Sequence, residues 1–213
     1  GVSIQLKKFI PVSAGMAGGS TDAAAVLVGV NRMFDLGFTK KELMERGVKL
    51  GADVPYCIMR GTALSEGIGE ILTELPAPPQ CHLVIAKPQI SVSTKAVYGK
   101  LRVNELAPEE HPDIDGMMAA IKNGDLDGVI ERLGNVLETV TVPDHPEIAE
   151  IKEIMVENGA SGSLMSGSGP TVFGIYKDKE LAEKACQALR EADGGRLTRQ
   201  VYLTEFYNRK KAR

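Results

Sequence analysis

Pro11-Val-Ser-Ala-Gly15-Met-Ala-Gly-Gly-Ser20-Thr-Asp22 reads as a glycine-rich turn set between a strand and a helix. Upstream, residues 2–10 (VSIQLKKFI) alternate apolar and polar and carry β-branched side chains, which predicts a strand that Pro11 stops. Downstream, small residues from Asp22 give way to Val26, Val30, Met33 and Phe34 at helical spacing, predicting a helix that ends near Gly37. Glycines in such a turn let several backbone N–H groups converge, and the helix dipole adds partial positive charge. The result suits a di- or triphosphate. It is not a Walker loop, because no Gly-Lys-Ser/Thr follows, and the spacing is not GxGxxG. Read alone, a glycine-rich turn that merely permits close packing accounts for it equally well.

Outward from this turn, Thr39-Lys-Lys-Glu42 is a capping box opening a second helix that Gly51 would close. The period then shifts to two, and residues 55–60, 62–66, 69–75 and 82–86 are predicted as short strands. The run 76–79 (PAPP) marks a boundary between parts 1–78 and 79–213, or a simple loop. Beyond it, 94–102, 113–123, 125–140 and 145–158 read as helices, with Gly159 ending the last. A second glycine-rich stretch, 161–169, leads into a strand at 171–176. Asp178 caps an amphipathic helix to about residue 192, and 199–206 is a final strand. Strands joined by short turns and mixed with helices make the fold class α+β.

Composition narrows the function. Of 213 residues, 43% are hydrophobic, enough for a buried core, and the net charge of −3 gives no electrostatic reason for nucleic-acid binding. The longest apolar run, Ala23–Val30, is too short to span a membrane. The three cysteines, Cys57, Cys81 and Cys186, form no CxxC, which argues against a disulfide framework or zinc site and for a reducing, cytoplasmic compartment. Met16, Met33 and Met44 read as core fillers.

Two further stretches carry chemistry. In Leu50-Gly-Ala-Asp53-Val-Pro55 the acid stands just beyond a helix C-terminus, where a carboxylate is disfavoured unless a cation faces it. Asp53 is therefore either a proton acceptor or lysine partner, or an Asx-turn residue. In Gly159-Ala-Ser-Gly-Ser-Leu-Met-Ser166-Gly-Ser-Gly-Pro170, glycines before a strand allow another backbone to approach, as when one loop packs on a phosphate cradle. A flexible hairpin connection is the alternative.

In this order the three stretches resemble one family, the GHMP small-molecule kinases. Pro11 to Ser20 matches the family's central Pro-x-x-x-Gly-Leu-x-Ser-Ser-Ala motif, with Gly18 and Gly19 in place of the two serines. Ser166-Gly-Ser-Gly-Pro-Thr-Val matches its third motif. Gly15-Met-Ala-Gly-Gly-Ser-Thr-Asp-Ala-Ala, Leu50-Gly-Ala-Asp-Val-Pro and Gly67-Ile-Gly-Glu70 are most similar to the branch acting on 4-diphosphocytidyl-2-C-methyl-D-erythritol. The resemblance implies an N-terminal α+β domain followed by a ferredoxin-like C-terminal domain. It also implies ATP and Mg²⁺ as cofactors and phosphoryl transfer to a hydroxyl of that small molecule, without nucleic acid or membrane as partner.

Residue by residue, the resemblance implies that Pro11, Val12, Ser13, Ala14, Gly15, Met16, Ala17, Gly18, Gly19, Ser20 and Thr21 wrap the ATP phosphates. Asp53 would be the catalytic aspartate, and Gly167, Ser168 and Gly169 the third-motif loop. Thr94 and Tyr98 would contact the cytidine end, Tyr98 by stacking; a core-packed aromatic is the alternative reading of Tyr98. No metal ligand is assignable beyond Ser20 as a candidate. The family's first motif, with its catalytic lysine, precedes the matched region, and Lys7 and Lys8 lie in no such motif. The chain is thus expected to be N-terminally truncated, its site incomplete, and the strand at 2–10 an unpaired edge open to self-association. The alternatives are a mevalonate, homoserine or galactose type kinase of the family, or a non-catalytic nucleotide-binding fragment.

Overall fold

The computed structural model describes residues 1–11 and 14–207. Val12 and Ser13, expected among the residues that wrap the ATP phosphates, and the basic tail from 208 lie outside the described residues. The first part is helical: α1 (Gly18–Met33), α2 (Lys40–Gly47) and α3 (Val54–Met59). A hairpin of β1 (Thr62–Glu66) and β2 (Ile71–Leu75) follows, paired antiparallel from Thr62↔Leu75 to Glu66↔Ile71. Ala24, Leu43, Val54 and Ile58 form the core of the three helices, with Leu27, Val28 and Phe38 around them.

The second part runs β3 (His82–Pro88), α4 (Thr94–Lys100), α5 (Ile114–Asn123), α6 (Leu126–Glu131), α7 (Glu138–Asp144) and α8 (Glu147–Glu157). It closes with β4 (Gly162–Met165), β5 (Val172–Tyr176), α9 (Lys179–Glu191) and β6 (Thr198–Glu205). The sheet order is β4-β5-β3-β6, with every pair antiparallel. That is the split βαββαβ arrangement, the ferredoxin-like layout that the resemblance implies. Alternation along β3 sends Val84 and Ala86 to one face, where Ile148, Ile151 and Met155 of α8 and Ala185 and Leu189 of α9 cover them. Leu83 turns to the other face with Cys81 and Ile175, beneath Leu126, Ile130 and Leu133.

Local chemistry explains most boundaries. Thr39 and Glu42 form the reciprocal capping box at α2. Asp178 accepts from the N–H groups of Glu180 and Leu181 at the start of α9. Among the described residues, no helix is long and apolar enough to cross a membrane.

Five expectations need correction. Residues 2–9 form no strand; they run as irregular chain with Ile4, Leu6 and Phe9 exposed, because no strand among the described residues offers a ladder to their backbone groups. The unpaired strand edge invoked for self-association is therefore not present there. Residues 54–59 are a helix, not a strand: Val54, Pro55, Ile58 and Met59 are buried, a helical spacing, with proline in the first turn. The helix expected over 125–140 is two, α6 and α7, broken around Gly134-Asn135. Part of the glycine-rich stretch 161–169 is strand β4, imposed by its pairing with β5 from Gly162↔Ile175 to Met165↔Val172. Met33 is 70% exposed and fills no core.

Candidate active site

The helix begins earlier than its apolar pattern suggests. Gly18-Gly19-Ser20 is the first turn of α1, and the bond from Thr21 N–H to the Ala17 carbonyl is 2.9 Å. The N–H groups of Gly18, Gly19 and Ser20 thus have no partner inside the helix. Ala17 at the cap is left-handed (φ 48°) and gives no side-chain cap, so nothing from its own side chain covers that end. A Cβ on Gly19 would meet no atom within 4 Å, so the protein's own packing does not require glycine there. Gly18 differs: a Cβ would lie 3.1 Å from Ile10. Such an arrangement can accept an anion on its backbone N–H groups.

The two glycine-rich stretches meet. Ser166 Oγ donates to the Gly15 carbonyl at 2.7 Å. Gly15 has φ 68°, and a Cβ there would fall 2.2 Å from the Ser166 carbonyl oxygen. Gly169 N–H returns to the Ser166 carbonyl at 2.9 Å, closing the 166–169 turn. Ser168 is nearly buried; its Oγ is 2.8 Å from Thr94 Oγ1, and its carbonyl accepts from Thr141 Oγ1 at 3.3 Å. Thr94 is accordingly tied to the third-motif loop.

Asp53 sits at the N-cap position of α3, not at a negative helix end as its place after α2 suggested. The chain makes a further turn after Gly47, and the backbone at Asp53 restarts as a helix, so its carboxylate lies where the dipole is positive. The side chain is exposed and makes no capping hydrogen bond. The turn at Gly67–Glu70 packs over its neighbour: a Cβ on Gly69 (φ 122°) would be 3.0 Å from the Ala52 carbonyl. Ser20 Oγ lies on the same side, 3.8 Å from the position of a Gly51 Cβ.

Thr21 ties the two helices together, its Oγ1 3.0 Å from the Ala17 carbonyl and 3.5 Å from Cys57 Sγ. Burial pushes the Cys57 thiol up, the Thr21 hydrogen bond pulls it partly back, and the Asp53 charge adds to the rise. A thiol held protonated is no nucleophile. Lys8, on the segment before the phosphate loop, is ion-paired with Asp22 in the helix start.

Met16, Thr21, Asp53 and Ser166 all line one cleft of about 1120 Å³. Arg60, left-handed at φ 62°, also faces it. Nothing in the sequence around Arg60 marks it, since it follows a stretch that reads as strand. Tyr98 does not line the cleft; it is 61% exposed on α4, which overturns its reading as a core aromatic. No cluster of three or more His, Cys, Asp or Glu suited to a metal exists among the described residues.

The family models for the GHMP kinases N terminal domain and the GHMP kinases C terminal match residues 1–61 and 117–194. A 4-diphosphocytidyl-2-C-methyl-D-erythritol kinase of Lachnospira eligens is 56% identical over 207 residues, covering 97% of this chain and 70% of that protein. Its counterpart from Lachnoclostridium phytofermentans is 51% identical over 210 residues, covering 99% and 70%. A crystal structure of 4-(cytidine 5'-diphospho)-2C-methyl-D-erythritol kinase superposes with a TM-score of 0.76 at 30% identity, covering 93% of this chain and 68% of that one. Homoserine kinase from Cytophaga hutchinsonii superposes with a TM-score of 0.78 at 21% identity, which speaks for the fold alone.

Proposed function

This chain belongs to the GHMP kinase family, and from that membership we infer that it transfers phosphate from ATP to a hydroxyl of 4-diphosphocytidyl-2-C-methyl-D-erythritol, in the non-mevalonate isoprenoid route. The observation that carries the mechanism is that Met16 and Thr21, on either side of the uncapped first turn of α1, line one cleft with Asp53. The Pro11–Thr21 loop receives the ATP phosphates on the free N–H groups of residues 18–20. The substrate hydroxyl enters between the γ-phosphate and Asp53, which takes its proton as the new O–P bond forms and the bond from the γ-phosphorus to the β–γ bridging oxygen breaks, releasing ADP. Positioning dominates, since a loose transition state asks for little covalent chemistry from the protein.

Mg²⁺ is the family's companion to ATP. Of this chain's residues, Ser20 would offer it a hard hydroxyl oxygen beside the ATP phosphates, with Asp53 left free as the proton acceptor. When bound, it neutralises charge on the β- and γ-phosphates. We place the lobe boundary between residues 78 and 79, supported by core clusters that draw on residues 23–58 and 81–206 separately. Charged nucleotide substrates and free Cys57, Cys81 and Cys186 support a cytoplasmic site of action.

An ADP-release assay with ATP against a panel of alcohols tests the reading. In the enzyme complete with the family's first motif, turnover is expected with the cytidine diphosphate substrate and not with mevalonate, homoserine or galactose; preference for any of these three would sink it. Tyr98 is assigned to the cytidine end. Its exposure means that Tyr98→Ala should leave the melting temperature near that of the parent. Loss of a base stack worth about 1–3 kcal/mol should raise KM for the cytidine substrate about 5- to 150-fold, with KM for ATP little changed. Equal effects on both KM values would remove Tyr98 from the site.

A further inference from the structure

Resting on the phosphate-transfer reading above, we propose that Asn135 is a positioning residue of the phosphate site, acting through the 166–169 loop. Asn135 stands in the break between α6 and α7, outside every glycine-rich stretch. Its Nδ2 donates to the carbonyls of Met165 and Gly167, both at 2.8 Å, the residues before and after Ser166. Its Oδ1 accepts from Leu137 N–H at 3.0 Å. Both amide hydrogens and the oxygen are thereby used, which fixes the orientation of the side chain. Glu138 adds a third tether: Oε1 accepts from Met165 N–H at 2.7 Å while Oε2 holds Lys152 at 2.6 Å.

The residue between the two clamped carbonyls is the one that reaches the phosphate loop. Ser166 donates to the Gly15 carbonyl, and its own carbonyl lies against the Gly15 Cα. Gly167 and Gly169, which follow it, are left-handed (φ 56° and 83°), a backbone with many alternatives when unclamped. The path from Asn135 to the nucleotide therefore runs through two backbone carbonyls, one serine and Gly15. Asn135 itself does not line the cleft. Its influence falls on the ATP side of the site.

The structure separates this role from simple helix capping. Asn135→Asp keeps the oxygen that accepts from Leu137 but replaces the donating NH₂ with an oxygen facing two carbonyls. Ser166→Ala breaks the next link and leaves the clamp untouched. Direct titration with ATP, without the alcohol, should show affinity weakened at least about tenfold in both variants, the equivalent of one hydrogen bond of ordinary net strength. In a double-mutant cycle the combined variant should be less damaged than the product of the two, because both cut the same path. Wild-type ATP affinity in folded Asn135→Asp would overturn the proposal, as would strict additivity. If that variant does not fold, Ser166→Ala decides alone, and unchanged ATP affinity there is equally fatal. Failure of the substrate assay would fall on the alcohol, whereas this titration reads ATP binding only, so the two outcomes are told apart.

Discussion

In the enzyme complete with the family's first motif, Asp53→Asn is expected to lower kcat by about 10²–10⁴-fold, the range for loss of a general base, while ATP affinity survives. Asparagine keeps the size and shape of the side chain but cannot accept the proton of the substrate hydroxyl. ATP affinity should persist because the proposed phosphate contacts are the backbone N–H groups at the start of α1, which the substitution does not touch. The fold should persist as well. Asp53 makes no capping hydrogen bond to α3, so the structural loss is confined to a charge at a helix N-terminus, about 0.3–1 kcal/mol. Single-turnover rates, together with a nucleotide titration on the same preparation, separate the two effects. A variant that turned over at nearly the parental rate would make Asp53 a turn residue and nothing more.

Gly15→Ala is expected to be comparably damaging by a different route. A left-handed backbone costs a residue with a Cβ about 1–2 kcal/mol. Here that Cβ would also fall 2.2 Å from the Ser166 carbonyl oxygen, a backbone atom that cannot swing aside like a side chain. Overpacking of this kind adds about 1–3 kcal/mol. The contact between the loops should open, and kcat/KM for ATP should drop about 10²-fold or more. Gly19→Ala is the informative companion, since its Cβ meets no atom of the described residues within 4 Å. It should leave the melting temperature unchanged and weaken ATP alone, by crowding the cradle. If Gly15→Ala keeps parental kcat/KM, the contact between the loops has no bearing on phosphate binding.

The parts of this molecule that were legible in the sequence are those whose cause is local. The Thr39–Glu42 box, the Asp178 cap and the alternation in β3 each depend on side chains a few residues apart, and each is found where its pattern puts it. The misreadings arise where distant partners decide. Residues 2–9 have strand composition but no ladder, and β4 has loop composition but a partner in β5. In α3, six residues are too few for period two and period 3.6 to be told apart without knowing what Val54 and Ile58 touch. The electrostatic argument at Asp53 failed for the same reason: one turn of chain separates the end of one helix from the start of the next. The glycine-rich stretches showed that something approaches closely, though not that they approach each other. Asn135 carried no signal beyond a Gly-Asn pair inside an apparently helical run, because its partners are carbonyls, which any sequence provides.

The contact between Ser166 and Gly15 spans 151 positions of the chain. The helices on its N-terminal side draw their core from residues 23–58, neighbours that can find one another quickly. The loop at 166–169 takes its place only when β4 and β5 have paired and the 135–141 segment has docked beside them. Closing so long a loop carries an entropic cost that the local helices never face. During refolding, helical signal should therefore return before the chain can hold a nucleotide. ATP-binding competence becomes a reporter of the slowest long-range step, and added ATP, which binds only the finished cradle, draws the population towards it.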